Sequence, residues 1–452
     1  MSIRVHNTLS GQIETLTPIH PGEVRIYVCG PTVYDELHIG NFRCFVVFDS
    51  LARFLRQEGY QVTKVQNFTD VDDRTIAQAK SEGISLRELT DRYIDLYYRD
   101  ARLLGIEDQI YPRATDYVAE MVAHIARLIE LGHAYTADGS VYFSVDSYPA
   151  YGRLSHQPPE ERQAGLRVEM EPGKRVAADF ALWKRETDPA FSWPSPWGPG
   201  RPGWHIECSV MSAHHLGVPF DIHGGGIDLV FPHHENEIAQ TAPLQPEGLA
   251  RIWMHNGMLT LHDEKMAKSL KNTFRLSDLT GRYPPEAIRL FLLSAHYRSP
   301  LAADEEAMDA ARAGLRRIEN VLRRLAAKSR PAAELEGWER FRASLADDFN
   351  TAEAEGVLFD TVRGANTALD HGASPAALGA YLAGIERMCQ VLGVRPEVGA
   401  ADDDQEVLQL VSAREAARRS RDFPEADRIR LKLRELGVVV EDTADGSRWY
   451  RA

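Results

Sequence analysis

VRIYVCGPTVYDELHIGN, residues 24–41, opens with an apolar run of β-branched and aromatic type, Val24–Cys29, that stops at Gly30-Pro31-Thr32. Such a run bounded by turn residues predicts a buried strand. From His38 to about Gly59 the apolar positions Ile39, Phe42, Val46, Val47, Leu51 and Phe54 recur at three- and four-residue spacings, which predicts a helix. Gln61–Phe68, QVTKVQNF, then predicts a second strand. Strand, turn, helix, strand is the βαβ unit of a nucleotide-binding α/β domain.

Working outward, the pattern loosens between about Tyr111 and Trp204 and ends in the Pro-, Trp- and Gly-rich stretch FSWPSPWGPGRPGW, residues 191–204. This reads as an insertion that splits the nucleotide-binding domain. A second half is expected to resume with a strand at Phe220–His223, a turn at Gly224–Gly226, a helix through His233–Gln240 and a strand at Arg251–Met254. After Lys265–Ser269 the chain turns helical, with a long Ala-, Arg- and Leu-rich stretch to Leu392 that suits paired helices. GVRPEVGAADDDQ, residues 393–405, has the composition of a linker. A basic helix and two short strands, Val438–Glu441 and Trp449–Tyr450 around Asp445-Gly446, are expected to close the chain. The expected fold class is therefore α/β: a Rossmann-like parallel sheet in two halves, 1–112 and 205–282, a connective insertion over 113–204, a helical stem and bundle over 283–395, and a small mixed α/β module over 406–452.

A chain of 452 residues is long enough for several cores. Its mean hydropathy of -0.34 and the lack of any apolar run of about 18 residues argue against a membrane protein. The N-terminus has no secretory leader pattern, so a cytoplasmic location is expected. Cys29, Cys44, Cys208 and Cys389 are scattered, which favours reduced thiols over a disulfide framework. The net charge of -14 opposes nucleic-acid binding on average. Residues 411–452 nevertheless carry ten basic side chains against eight acidic ones, so a local basic patch is available.

Two motifs point to a polyphosphate. His38-Ile39-Gly40-Asn41 stands where a strand hands over to a helix, and a helix N-terminus offers unpaired N–H groups and a positive dipole end. His38 can donate a hydrogen bond there, and Gly40 lets a nucleotide lie against the backbone; taken alone, His38 could equally be a helix cap. Lys265-Met266-Ala267-Lys268-Ser269 places two lysines three apart, where both can face one polyphosphate and stabilise charge on departing pyrophosphate. A third constellation has the donors of a metal site. In Phe231-Pro232-His233-His234-Glu235-Asn236-Glu237, His233 and Glu237 lie four apart on one helix face, and His234 with Glu237 shares a face as well. Cys29 and Cys208 can add thiolates to a mixed set that zinc accepts.

The pair HIGN and KMAKS resembles the two signatures of class I aminoacyl-tRNA synthetases, with Asn41 in place of a second histidine and Ala267 in place of a serine. YVCGPTVYD around Cys29, GRPGWHIECS around Cys208 and FDIHGGGIDLVFPHHENEIAQ are similar to the cysteinyl-tRNA synthetase family, and the resemblance spans nearly the whole chain. It implies that His38, Gly40, Asn41, Lys265 and Lys268 serve ATP, which arrives with Mg²⁺. It implies one zinc ion on Cys29, Cys208, His233 and Glu237, and an L-cysteine pocket lined by Cys29, Thr69 (in NFTDVDD) and Trp204. Zinc would select a thiolate over the alcohol of serine, where ordinary contacts between near-isosteres discriminate weakly, so no editing domain is expected. The segment 417–452 resembles the family's anticodon-recognition module, with helix arginines and Trp449 to stack on a base. The implied partners are tRNA(Cys), ATP and L-cysteine, with no membrane, and a monomer is expected. Two other readings share these motifs: a mycothiol-pathway cysteine ligase acting on an amino sugar, and a non-catalytic synthetase homologue that binds RNA.

Overall fold

The computed structural model describes residues 2–107, 109–156, 173–261, 264–265, 274–396, 405–436, 438–443 and 446–451. A short antiparallel hairpin, β1 (Arg4–Asn7) and β2 (Gln12–Thr15), precedes the first strand of the main sheet. That strand is β3 (Glu23–Val28); helix α1 (Ile39–Gln57) follows and β4 (Gln61–Gln66) returns beside β3. Their parallel register runs from Glu23↔Gln61 to Val28↔Gln66, the βαβ unit expected from the sequence. From Phe42 to Leu55 every residue of α1 is buried, as befits a helix covered on all sides. It lies between the sheet and the helices Pro285–Leu293 and Pro375–Leu392.

Two helices, α2 (Asp73–Glu82) and α3 (Leu86–Leu103), follow β4. The segment after them forms α4 (Val118–Glu130) and an antiparallel sheet of β5 (Ala134–Ala137), β6 (Ser140–Phe143), β7 (Phe180–Arg185) and β8 (Gly200–Pro202), in that order. The main sheet resumes with β9 (Phe220–Gly226) and β10 (Ala250–Asn256), giving the all-parallel order β10-β9-β3-β4. Here the expected turn at Gly224–Gly226 is corrected, because β9 runs straight through the three glycines, pairing Gly224↔Met254 to Gly226↔Asn256. Neighbouring side chains explain the run of glycine: a Cβ at Gly224 would fall 2.3 Å from the Phe48 ring, and one at Gly225 would fall 2.8 Å from the ring of His234. The glycines make room, and do not bend the chain.

Beyond β10, strand β11 (Leu259–Leu261) pairs with β12 (Glu264–Lys265) and with β13 (Leu301–Ala302). Helices Glu305–Ala326, Trp338–Ala346, Thr351–Asp370 and Pro375–Leu392 then pack together. The last module differs from expectation by having two helices before its hairpin, Gln405–Arg419 and Phe423–Glu435. The break is encoded by Asp422, whose carboxylate accepts from Glu425 N at 3.2 Å, with Pro424 in the first turn. Strands β14 (Val438–Thr443) and β15 (Gly446–Arg451) close the module with Thr443↔Gly446 at the tight end; Asp445 of the expected turn lies outside the described residues, as do residues 397–404 of the expected linker.

A buried ionic cluster joins α1 to the helical region. Asp49 accepts from Arg53 Nε at 2.8 Å and from Arg289, and Lys64 Nζ stands 3.8 Å from its other oxygen. The guanidinium groups also donate to carbonyls at helix ends: Arg289 to Leu104 O at 2.8 Å and to Leu392 O, and Arg53 to Gly105 O at 2.7 Å. All four charged groups are thus supplied with partners, which is what makes their burial tolerable.

Candidate active site and metal centre

In an open parallel sheet, ligands bind beyond the carboxyl ends of the strands where the strand order reverses. Here that point lies between β3 and β9. Cys29 follows β3 directly and is tied to β9 by its N–H, which donates to Gly224 O at 3.0 Å. The next residue, Gly30, donates its N–H to Asn67 Oδ1 at 2.9 Å, and no larger residue fits, since a Cβ would lie 1.6 Å from Asn67 O.

A cleft of about 450 Å³ opens at this point. Its walls include Cys29 and Trp204 toward one end, His38, Gly40 and Asn41 at the start of α1, and Gly257–Leu259 after β10. His38 is the N-cap of α1, and Asn41 Oδ1 accepts from the His38 backbone N–H at 3.2 Å, so the two motif residues brace the helix start. Gly40 leaves room for the His38 imidazole, whose Nδ1 would meet a Cβ at 3.0 Å. The positive end of α1 therefore faces the cleft.

Behind Cys29 the metal-ligand candidates converge. Cys29 Sγ lies 3.5 Å from both Cys208 Sγ and Glu237 Oε1. His233 Nε2 stands 3.2 Å from Glu237 Oε1 and makes no hydrogen bond, while its Nδ1 meets His205 Nδ1 at 2.9 Å. The four donor atoms lie within 4.8 Å of one another in a fully buried group that could hold a metal ion. A second such group, Cys29, His223, His234 and Glu237, shares two of its members. His234 Nε2 is 3.3 Å from Cys29 Sγ, and its Nδ1 meets His255 Nε2 at 2.7 Å. The His233–Glu237 approach arises even though a π-type turn over Val230–His234, with Phe231 off helical geometry, precedes the α-helix Glu235–Thr241.

Burial sets the protonation of this cluster. It pushes both thiols and the Glu237 carboxyl up, and drives the His233 and His234 imidazoles well below their ordinary range. The protein alone thus favours thiols and neutral imidazoles and disfavours the ionised form of Glu237. A divalent cation would reverse that for the thiols and the acid, because its charge favours the ionised ligands.

Comparison with known proteins gives the family of the chain. Residues 15–313 match the model of the class I (C) tRNA synthetase catalytic domain, 340–395 the DALR domain, and 401–450 the cysteinyl-tRNA ligase anticodon binding domain. Cysteine–tRNA ligase of Symbiobacterium thermophilum is 46% identical over 100% of both chains, and that of Halorhodospira halophila is 48% identical over 99% of both. The chain belongs to the class I cysteine–tRNA ligase family. Its fold is also that of a solved methionyl-tRNA synthetase from Mycobacterium tuberculosis in complex with methionyl-adenylate, with a TM-score of 0.60 and 16% identity over 86% of this chain and 94% of that one.

In this member of the cysteine–tRNA ligase family the remaining site candidates are placed as follows. Thr69 is buried and donates from Oγ1 to Glu207 Oε2 at 2.8 Å, one residue from Cys208; it does not line the cleft. Trp204 stacks on His233 with centroids 4.1 Å apart, which puts the cleft wall in contact with the metal-ligand group. Lys265 ends β12, the strand antiparallel to β11; Lys268 lies outside the described residues. Trp449 belongs to β15, facing Val440 in the hairpin register. Three residues escaped the sequence reading: His223, whose Nε2 meets Glu237 Oε2 at 2.9 Å, and His205 and His255, each against one of the paired histidines. The only sequence signal for His223 is a titratable residue inside the apolar strand FDIH. Cys44 and Cys389 are buried free thiols away from this group.

Proposed function

We propose that this chain activates L-cysteine with ATP and joins it to tRNA(Cys), with one zinc ion on Cys29, Cys208, His233 and Glu237 as the element that selects the amino acid. The carrying observation is that one cleft has Cys29 and Trp204 on its walls together with the His38-Gly40-Asn41 start of α1. An amino acid held by its thiol at Cys29 then has its carboxylate within reach of a nucleotide at the helix end. His233 is favoured over His234 as ligand because its Nε2 is buried without a hydrogen bond, whereas both ring nitrogens of His234 have hydrogen-bond partners. Zinc, when bound, supplies a Lewis acid that takes a thiolate in preference to an alcohol.

In this reading the protein's own groups mainly position and neutralise. His38 and the N-terminal amides of α1 hold the ATP phosphates, while Lys265 and Lys268 stabilise the charge on pyrophosphate as the cysteine carboxylate attacks the α-phosphate. Mg²⁺ enters with ATP. The terminal ribose hydroxyl of the tRNA then displaces AMP. Thr69 is held against Glu207 and supports the cysteine pocket from behind. At the far end, the helix Phe423–Glu435 leaves Phe423 60% exposed and also carries exposed Arg428 and Arg430, side chains suited to stacking and phosphate contact with an RNA loop. A monomer in the cytoplasm is the matching state; among the described residues no helix is long and apolar enough to cross a membrane. The division into 1–112, 113–204, 205–282, 283–395 and 406–452 is proposed with it.

The test is transfer of labelled cysteine to bulk tRNA with ATP and Mg²⁺, with serine in parallel. Cysteine but not serine is expected on the tRNA, and stripping the metal with a chelator is expected to abolish charging. Uncharged tRNA from an enzyme that still makes AMP with cysteine and an amino-sugar acceptor would replace this reading with the ligase one.

A further inference from the structure

Arg43 lies on α1 two residues past Asn41 and is 0% exposed. Among the described residues no carboxylate pairs with it. Its guanidinium is spent on backbone: Nη1 donates to Gly257 O at 2.8 Å and to Met258 O at 2.9 Å, and Nη2 approaches His296 O at 3.3 Å. Burial pulls its pKa down to about 10. A buried cation without an anion is costly, and a chain that needed only to fill this space would do better with an apolar side chain. What the guanidinium adds is a planar donor group whose Nη1 serves two successive carbonyls, Gly257 O and Met258 O, while its Nη2 reaches a third at His296.

Those carbonyls belong to a wall of the cleft. Gly257, Met258 and Leu259 line it together with His38, Gly40 and Asn41, and Leu259 Cβ lies only 3.6 Å from where a Gly40 Cβ would stand. The wall is pinned from its other side as well: Gly257 N–H donates to Tyr297 O at 2.7 Å, and Leu301 N–H donates to Met258 O at 3.0 Å. Gly257 also packs so closely on Ser299 that a Cβ would meet its carbonyl oxygen at 2.4 Å. Among the described residues Arg43 provides side-chain hydrogen bonds from α1 to this wall, and β11 and β12 lead from the wall to Lys265.

We propose that Arg43 is a positioning residue for the nucleotide: by clamping the Gly257 and Met258 carbonyls to α1 it sets the width of the ATP end of the cleft and the path of the strands that carry Lys265. The inference rests on the reading of this cleft as the ATP site. It separates nucleotide binding from cysteine binding, because Cys29, Cys208, His233 and Glu237 are anchored on other elements.

The experiment compares Arg43→Lys, which keeps the charge but loses the planar group that reaches all three carbonyls, and Arg43→Gln, which removes the unpaired charge and so should fold at least as well. Cysteine-dependent exchange of pyrophosphate into ATP is measured with KM determined separately for ATP and for cysteine, alongside the thermal midpoint. Each variant is expected to raise KM for ATP about tenfold, the size of a lost charge-assisted hydrogen bond, with KM for cysteine within about twofold of wild type. Arg43→Gln is expected to do so without lowering the midpoint. A lowered midpoint with both KM values unchanged, or equal rises in both, would overturn the proposal and leave Arg43 a packing residue. Should wild-type protein show no cysteine-dependent exchange, the functional reading fails instead; equilibrium dialysis of ATP against wild type and Arg43→Gln then decides the Arg43 inference by itself, equal affinities refuting it.

Discussion

Two buried polar clusters of similar size serve this protein in opposite ways. Around Asp49, three cations surround one carboxylate, and backbone carbonyls from helix ends take up the surplus guanidinium donors. At the ends of β3 and β9, two thiols, imidazoles and a carboxyl converge with a donor nitrogen, His233 Nε2, left without a hydrogen bond. The first cluster is complete within the protein and joins the sheet domain to the helices. The second leaves that nitrogen unsatisfied within a group that could hold a cation, which is the physical mark of a candidate site. The contrast holds in protonation too. Burial would raise the Asp49 pKa, but Arg289 above all, with Lys64 and Arg53, holds it well below the usual carboxylate range. Burial is not offset in that way for the two thiols, so both stay neutral.

The largest effect should come from the incomplete cluster. Cys208→Ser is nearly isosteric, so the fold should survive, but bound zinc and cysteine activation should fall at least about a thousandfold, about 4 kcal/mol of transition-state stabilisation; metal analysis and pyrophosphate exchange read this directly. Retained metal and retained exchange would erase the distinction between the clusters. Asp49→Asn is expected to do the reverse. It strands Arg289, Arg53 and Lys64 together and should cost about 3–5 kcal/mol of stability in urea unfolding, with metal content unchanged. The same residue predicts an acid limb. Because the folded pKa of Asp49 is depressed, its contribution is present above the unfolded carboxylate value of about 4 and is lost as pH falls toward the folded value, so the stability difference between wild type and Asp49→Asn should shrink below about pH 4. The smallest effect belongs to His223, which touches Glu237 from outside the proposed ligand set. His223→Asn should weaken metal binding by about 10- to 100-fold in chelator competition and leave unfolding unaffected. Loss of stability without loss of metal would make His223 part of the core and not of the site.

Much of this was legible along the chain because its signals are local. The apolar run before Gly30, the helical spacing after His38 and the His233–Glu237 interval each follow from backbone geometry over a few residues. The breaks in legibility are as specific. Gly224–Gly226 reads as a turn because glycine usually marks one, yet it is a strand whose bareness is dictated by Phe48 and His234. The basic segment expected as one helix is two, because Asp422 caps a new start with Pro424 in its first turn. Spacing could not choose between His233 and His234, since both reach Glu237.

The sequence by itself determined the parallel α/β class, the helix start that faces the cleft, and the thiol, imidazole and carboxylate types that make a metal ligand set, because each is written in residue chemistry at short range. Tertiary structure decided which groups are complete and which are not: Arg43 against the carbonyls of Gly257 and Met258, Asp49 among three cations, and His205, His223 and His255 around the paired histidines. Those partners are distant in the chain, and only the packing of α1, β9 and β10 brings them within bonding distance, where burial fixes what each contact costs or contributes.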